Sequence, residues 1–375
     1  ENQFKLMIFS RIIAQFRKEL AQFKRDRVTV ALAFLLPLGM MLIYGFAIRL
    51  EAQNLPLSIH DYDNSPISRS YVERLFATNQ FVPVRNNGHN PTDSLDADRA
   101  IASVVIPPDF SRKIKAKKTV KVQVLVDGSD VNNARIAQNS IRATTNFFIQ
   151  SQQPELSKPL VKAQTRLWFN PGGKESLYIV PGSFAVVLWV FPSMLSAIAV
   201  VREKEQGTIL QVYASDLKAW EWLLGKVLAY LLIASSEAIL VMGTAALLFG
   251  IRFATEPTPL IIGTLFYLFA SVSFGVFIGT RANNQNSAVQ GTAIAGFLSA
   301  FLLSGFIYRV ENFPFPLYLI SNIIPARYYL LITRDAFVRG TGWMGIWYAP
   351  LIIGAIALLL LFGATKVMSR MQLKD

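Results

Sequence analysis

Six long apolar runs limit what this chain can fold into. About 20 consecutive apolar residues suffice for a helix to cross a hydrocarbon layer about 30 Å thick, and the runs cover residues 28–48, 178–201, 222–249, 259–280, 288–308 and 346–365. Only 16% of the chain is charged, against roughly a quarter in soluble domains, so lipid is the solvent these runs fit. The expected fold is an α-helical polytopic membrane protein with six transmembrane helices. A weaker apolar stretch, about 309–335, contains Pro314, Pro316, Pro325 and Arg327. It is expected as an extracytoplasmic re-entrant hairpin, because non-helical backbone at membrane depth must be buried in protein or wetted.

The first run is longer than the roughly 7–15-residue apolar core of a signal peptide and has no Ala-x-Ala-like site behind it, so it is read as a true span. Basic residues in short flanks set the orientation. Lys5, Arg11, Arg17, Lys18, Lys24, Arg25 and Arg27 precede the first span, and Lys366, Arg370 and Lys374 follow the last. Both termini are therefore expected in the cytoplasm, with Arg202, Lys204, Lys218, Lys226 and Arg281 on that side. Arg309, Arg327, Arg334 and Arg339 fall outside, against the local trend. The net charge of +13 is thus spread along span flanks with no nucleic-acid motif, and no nucleic-acid partner is expected.

Before the first span, Phe9, Ile12, Ile13, Phe16, Leu20 and Phe23 recur at helical spacing opposite Arg11, Gln15, Lys18, Gln22 and Arg25. Residues 1–27 therefore read as an amphipathic interfacial helix lying on the lipid membrane, followed by the first span at 28–49. Residues 50–176 change character and read as an inserted extracytoplasmic α/β domain. Leu57-Ser58-Ile59 is strand-like, and Asp61 to Pro66 is a turn that caps a helix from Ile67 to Thr78. Phe81 to Val84 is a second strand, Asp96 to Ala102 looks helical, and Ala102 to Ile106 is a buried strand stopped by Pro107-Pro108. Alternation at Val120, Val122, Val124 and Val126 predicts a half-exposed strand, and a helix from Val131 to Gln152 closes the unit. The basic cluster Arg112, Lys113, Lys115, Lys117, Lys118 and Lys121 reads as a solvated face.

Cysteine is absent and His60 and His89 are the only imidazoles, so no metal site, thiol nucleophile or intramembrane catalytic constellation is expected. No Gly-x-x-x-x-Gly-Lys-[Ser/Thr] loop occurs, and Gly172-Gly173-Lys174-Glu175 is not one, so the chain lacks the usual means of cradling nucleotide phosphates.

After the second span, Arg202-Glu203-Lys204-Glu205-Gln206-Gly207-Thr208 is followed by Leu223-Leu224-Gly225-Lys226. Asp61 to Pro66, Val105 to Phe110, Val126 to Ser129, Phe169-Asn170-Pro171, Val180-Pro181-Gly182 and Leu303 to Ile307 complete an ordered set. In these landmarks the chain resembles the ABC-2 family of exporter permeases, in particular six-span bacterial members with a large periplasmic insertion after the first span. Ser215-Asp216 departs from the Thr-Pro frequent there. The resemblance implies a transport subunit in the bacterial inner membrane. Its ATP and magnesium would be bound by a separate ABC ATPase, present in two copies, and it would pair with a second permease copy, with a periplasmic adaptor as a further potential partner. It also implies that 202–218, within the helical region 177–375, is a cytoplasmic coupling helix, with Arg202, Glu203, Lys204, Glu205, Gly207, Thr208 and Tyr213 as ATPase-coupling residues. The implied activity is export of an amphiphilic small molecule, drug or lipid-like compound by alternating access.

Glu237 lies in the middle of the third span beside Ser235 and Ser236. A carboxylate there costs several kcal/mol, so the three residues are candidates for the substrate path or an interhelix hydrogen bond. Gly275, Gly279, Gly291, Gly296 and Gly305, with Ser271 and Ser273, suit either a dimer seam or static close packing. A membrane-anchored receptor or scaffold, its outer domain binding a ligand or partner protein, is the alternative. Loss of a bound ATPase on Glu203→Arg or Glu205→Arg would separate the two.

Overall fold

The structure, a computed structural model, describes residues 2–47, 54–84, 90–129, 131–152, 176–214 and 217–370. His89, Phe169-Asn170-Pro171, Gly172 to Glu175 and Ser215-Asp216 lie outside the described residues, as does the side chain of Tyr213. The chain divides into two compact units, one formed by Glu1–Ile48 with Leu167–Asp375 and the other by Arg49–Arg166.

The first unit begins with α1 (Asn2–Arg25) and α2 (Arg27–Ala47). Between them Asp26 accepts from the Thr29 amide at 3.0 Å and the Thr29 hydroxyl at 2.6 Å, capping an otherwise unsatisfied amide of α2.

The inserted unit alternates strands and helices: β1 (Leu55–Asp61), α3 (Pro66–Ala77), β2 (Phe81–Pro83), α4 (Asp93–Asp96), β3 (Ala102–Ile106), α5 (Phe110–Lys115), β4 (Gln123–Val126) and α6 (Val131–Gln152). The sheet order is β2-β1-β3-β4, with β1 parallel to both neighbours and β4 antiparallel to β3. Ser65 caps α3 by accepting from the Ser68 amide at 3.1 Å, and the Ser68 hydroxyl accepts from the Ser65 amide at 3.0 Å. The helix expected over Asp96 to Ala102 lies earlier, at Asp93–Asp96, because Asp98 takes a left-handed φ of 52° and ends it. Leu57, Val104 and Ile106 from the sheet and Tyr71, Leu75, Phe110 and Phe148 from the helices form one apolar core.

The rest of the first unit comprises α7 (Ser176–Glu205), α8 (Ile209–Tyr213), α9 (Ala219–Phe249), α10 (Thr258–Arg281), α11 (Gln285–Leu302), α12 (Leu317–Ser321), α13 (Pro325–Arg334), α14 (Trp343–Ile346) and α15 (Tyr348–Arg370). Five of the described helices, α2, α7, α9, α10 and α15, are long and apolar enough to cross a membrane. The run expected as a span over 288–308 is helical only to Leu302, because Gly305 takes a left-handed φ of 91°. The carbonyls of Gly305 and Phe306 left free by that break face Arg334, at 3.4 and 3.3 Å.

α7 is apolar on all sides and buried through most of its length, the pattern of a helix surrounded by others. It meets α10 so closely that a Cβ at Gly275 would lie 1.9 Å from the Ser193 carbonyl oxygen, and one at Gly279 2.7 Å from that of Ala197. Ser271 donates to the Trp189 carbonyl at 2.7 Å in the same seam. Gly275, Gly279 and Ser271 thus close a helix seam within one chain. By contrast, Leu232, Ile239 and Leu247 on α9 and Leu358, Leu359 and Phe362 on α15 are exposed, an outward apolar face that lipid satisfies.

Candidate functional site

Residues 202–205 form the last turn of α7. Successive side chains on a helix are about 100° apart, so four in a row point to every quarter around the axis. Each of these four is held by a different element. Arg202 pairs with Asp26, the cap of α2, at 3.2 Å. Glu203 meets α1 and α9. Lys204 donates to the carbonyls of Gly279, Thr280 and Ala282 at 3.0, 2.6 and 3.3 Å, where α10 runs out of amide partners for its last carbonyls and a cation is favoured. Glu205 accepts from the amide of Gln285, the first residue of α11, at 2.8 Å, and so serves the opposite kind of helix end.

Glu203 is the most enclosed of the four. Its Oε1 accepts from Lys18 of α1 at 2.7 Å and from Lys226 of α9 at 2.9 Å, and its Oε2 accepts from the Trp222 indole at 3.2 Å. Lys226 is 1% exposed at its side chain and also donates to Glu19 at 2.6 Å and to the Ala199 carbonyl at 3.2 Å, with the Trp222 ring 4.9 Å away. Glu19 accepts from Gln15 at 2.9 Å. Burial lifts the Glu19 carboxyl above its usual range, and the Lys226 ammonium pulls it partway back. Two acids and two lysines from three helices thus neutralise one another, and Glu19, Glu203 and Lys226 are buried where any one of them alone would be costly, while Lys18 reaches in from a half-exposed position. Hydrogen bonds from Thr29 hold the Asp26 carboxyl below its usual range, opposed by partial burial and helped by Arg202.

This arrangement alters the sequence reading of α1. The face it buries combines Ile12, Gln15 and Glu19, whereas Phe9 is 62% exposed. Gly225 permits the contact, since a Cβ there would come within 2.7 Å of Gln15 and 3.1 Å of the Ile12 carbonyl oxygen. Glu19, Lys226 as an ion-pair partner, Trp222 and Asp26 were missed. The available signal was the Gly225-Lys226 pair, a small residue beside a charge at the edge of an apolar run.

Beyond the turn, Gly207 takes a left-handed φ of 70°, the conformation glycine adopts without penalty. α7 ends there and α8 begins after Thr208, whose hydroxyl donates to the Glu203 carbonyl at 3.3 Å. Gln206, Leu210, Gln211 and Trp220 are exposed around this end of the bundle.

Glu237 is fully buried in α9, and neither carboxylate oxygen has a hydrogen-bond partner among the described residues. Ser235 and Ser236 instead donate to the carbonyls of Leu231 and Ile233 on their own helix, at 2.7 and 2.6 Å. The sequence thus places three polar residues together, but their side chains do not form a common network. Among the described residues no group of three or more His, Cys, Asp or Glu could hold a metal ion.

A sequence profile described as "ABC-2 family transporter protein" matches residues 27–366. The chain is 27% identical over 341 residues, covering 89% of it and 90% of the relative, to "Probable multidrug ABC transporter permease YbhS" of Escherichia coli (strain K12). It is 28% identical over 353 residues, 92% of it and 95% of the relative, to "Probable multidrug ABC transporter permease YbhR" of the same organism. A third similar protein there is "Inner membrane transport permease YhhJ", 26% identical over 310 residues, 80% of this chain and 81% of the relative.

Proposed function

Since the chain belongs to the ABC-2 family of transporter proteins and is the permease subunit, with nucleotide bound by a partner ATPase, we propose that it exports an amphiphilic small molecule by alternating access. The observation that carries the mechanism is the last turn of α7. A rigid-body push there is passed at once to α1, α2, α9, α10 and α11 through charged side chains, with no flexible linker between. In this reading Arg202, Glu203, Lys204 and Glu205 transmit the motion, while exposed groups beyond them, Gln206, Leu210, Gln211 and Trp220, receive the ATPase. Gly207 and Thr208 shape the turn between the two sets.

The bundle end carrying this turn faces the cytoplasm, together with both termini, and the domain inserted after α2 lies on the outer side of a bacterial inner membrane. Two ATPase subunits act on two permease copies, and closing of the ATPases re-aims the spans, a hinge or shear change of the kind packed helices support. The description of YbhS and YbhR as probable multidrug permeases favours a drug-like substrate.

Reception and transmission are separable by experiment. Glu203 is 2% exposed, so Glu203→Arg reports folding instead of docking. Leu210→Asp, at an exposed position, is expected to abolish co-purification of the ATPase. Lys204→Met is expected to leave the ATPase bound while substrate-stimulated hydrolysis and transport disappear. With no native cysteine, Gln206→Cys reports sidedness directly. Labelling of that cysteine by an impermeant reagent from outside intact cells would overturn the reading, as would normal ATPase capture by Leu210→Asp with full transport by Lys204→Met.

A further inference from the structure

The inserted unit contains a cavity of about 620 Å³, within the range of sites that enclose one drug-sized molecule. Val122, Val124 and Ile149 give it an apolar wall, and the aromatic core of the unit lies beneath. Phe110 and Phe148 stack at 6.2 Å between ring centres, and Tyr71 lies 5.1 Å from Phe148. The polar atoms near them are turned toward one another. The Tyr71 hydroxyl and Thr145 hydroxyl share a hydrogen bond of 2.7 Å, and Thr145 also donates to the Ile141 carbonyl at 2.6 Å.

The rim has the opposite character. Lys117, Lys118 and Arg142 line it, and among the described residues no Asp or Glu lines it. Chain geometry brings the two lysines there. The Lys118 amide donates to the Lys113 carbonyl at 2.9 Å and the Lys117 amide to that of Ile114 at 3.0 Å, which ends α5 in a Schellman turn. Lys117 holds the left-handed position with φ 55°, where glycine is customary. Asp109, the acid that precedes this basic run, is engaged by Lys113 at 2.6 Å.

We propose that this cavity binds a single-chain anionic amphiphile, its apolar body against Val122, Val124 and Ile149 and its acid group between Lys118 and Arg142. An apolar wall selects no head group by itself. The cations at the mouth, with no acid among the described lining residues, favour an anion over a cation or a neutral molecule, and the volume suits one ligand body. The half-exposed character of Val122 and Val124 follows, since both line the space.

The full chain, free of cysteine, is prepared in nanodiscs of zwitterionic lipid with Gln138→Cys on the cavity wall. Dodecanoate at about ten times its Kd is expected to slow maleimide labelling about tenfold, because only the unoccupied fraction reacts. Dodecyltrimethylammonium, with the same chain and opposite charge, is expected to give no protection. Lys118→Glu and Arg142→Glu, both at exposed positions, are expected to abolish protection by dodecanoate, and Glu73→Cys on the outside of α3 to label at one rate throughout. The proposal is overturned by absence of protection, by equal protection from the cation, or by protection that survives both charge reversals. It is equally overturned if the thiol introduced by Gln138→Cys is already shielded without ligand, which would mean another segment or partner fills the space. Neither nucleotide nor ATPase enters the measurement, so its failure leaves the transport reading untouched.

Discussion

Glu203 and Glu237 are both buried acids in the helical unit, yet their surroundings are opposites. Glu203 accepts from Lys18, Lys226 and Trp222, while the carboxylate of Glu237 has no hydrogen-bond partner among the described residues. Burial of an acid therefore says little without its partners. Around Glu203 each charge depends on the next, so removing one harms the others. Around Glu237 no described hydrogen bond depends on the carboxylate.

The largest expected effect comes from taking the buried cation, Lys226, out of the Glu203 cluster. Lys226→Met leaves the buried Glu19 without its cation and Glu203 with Lys18 alone and should cost about 3–5 kcal/mol, read as a large fall in the melting temperature of the detergent-solubilised chain. Adding Glu19→Gln to the same chain should restore part of the loss. If Lys226→Met melts like the parent, the cluster is not the buried ion network described.

Gly225→Ala tests the cluster by distance instead of charge. The added methyl collides with Gln15 and should cost about 1–3 kcal/mol, with α1 becoming a site of protease cleavage. Parental stability and resistance would show that α1 does not need this approach.

Asp26→Ala removes the cap of α2 and should cost about 1 kcal/mol. The sign with pH follows from the lowered carboxyl. Its stabilising contribution is complete above the ordinary Asp value of about 4 and fades as pH falls through the lower folded value. The melting curves of parent and variant should therefore converge in acid, and a gap that widens on acidification would contradict the assignment.

The smallest effect is expected at the other pole. Glu237→Gln keeps the shape and removes an unpartnered carboxyl, so stability should change less than in any of the variants above while transport changes. A severe loss of stability would reveal a hidden partner and erase the contrast with Glu203.

The broad plan was legible because apolar length and strand alternation are local signals. They located the long helices and the inserted sheet, and Ser65-Pro66 announced the start of α3. The cluster at the end of α7 was not legible for the same reason. Lys226 and Glu19 are 207 positions apart, and no periodicity links them. On α1 the amphipathic pattern separated apolar from polar residues but did not say which flank would be covered by protein, so Gln15 looked solvent-facing and Glu19 drew no notice. Arg202 to Glu205 stand out in the sequence as a unit, but as one facing a partner. Their alternating signs match helix ends within their own chain, which only tertiary placement reveals. The end of α11 was missed because Gly305 sits in a stretch whose composition still reads as membrane helix.

The closing turn of α7 also makes the bundle intolerant of a change in phase. One residue inserted anywhere in that helix ahead of Arg202 would swing the turn by about 100° and hand each direction to the wrong charge: an acid would meet the carbonyl end of α10, and a lysine the amide end of α11. Substitutions can wear this junction down one grip at a time, whereas a single-codon slip would undo all of its grips together. Length variation among functional descendants of this sequence should therefore collect in its loops and spare the helix that ends there.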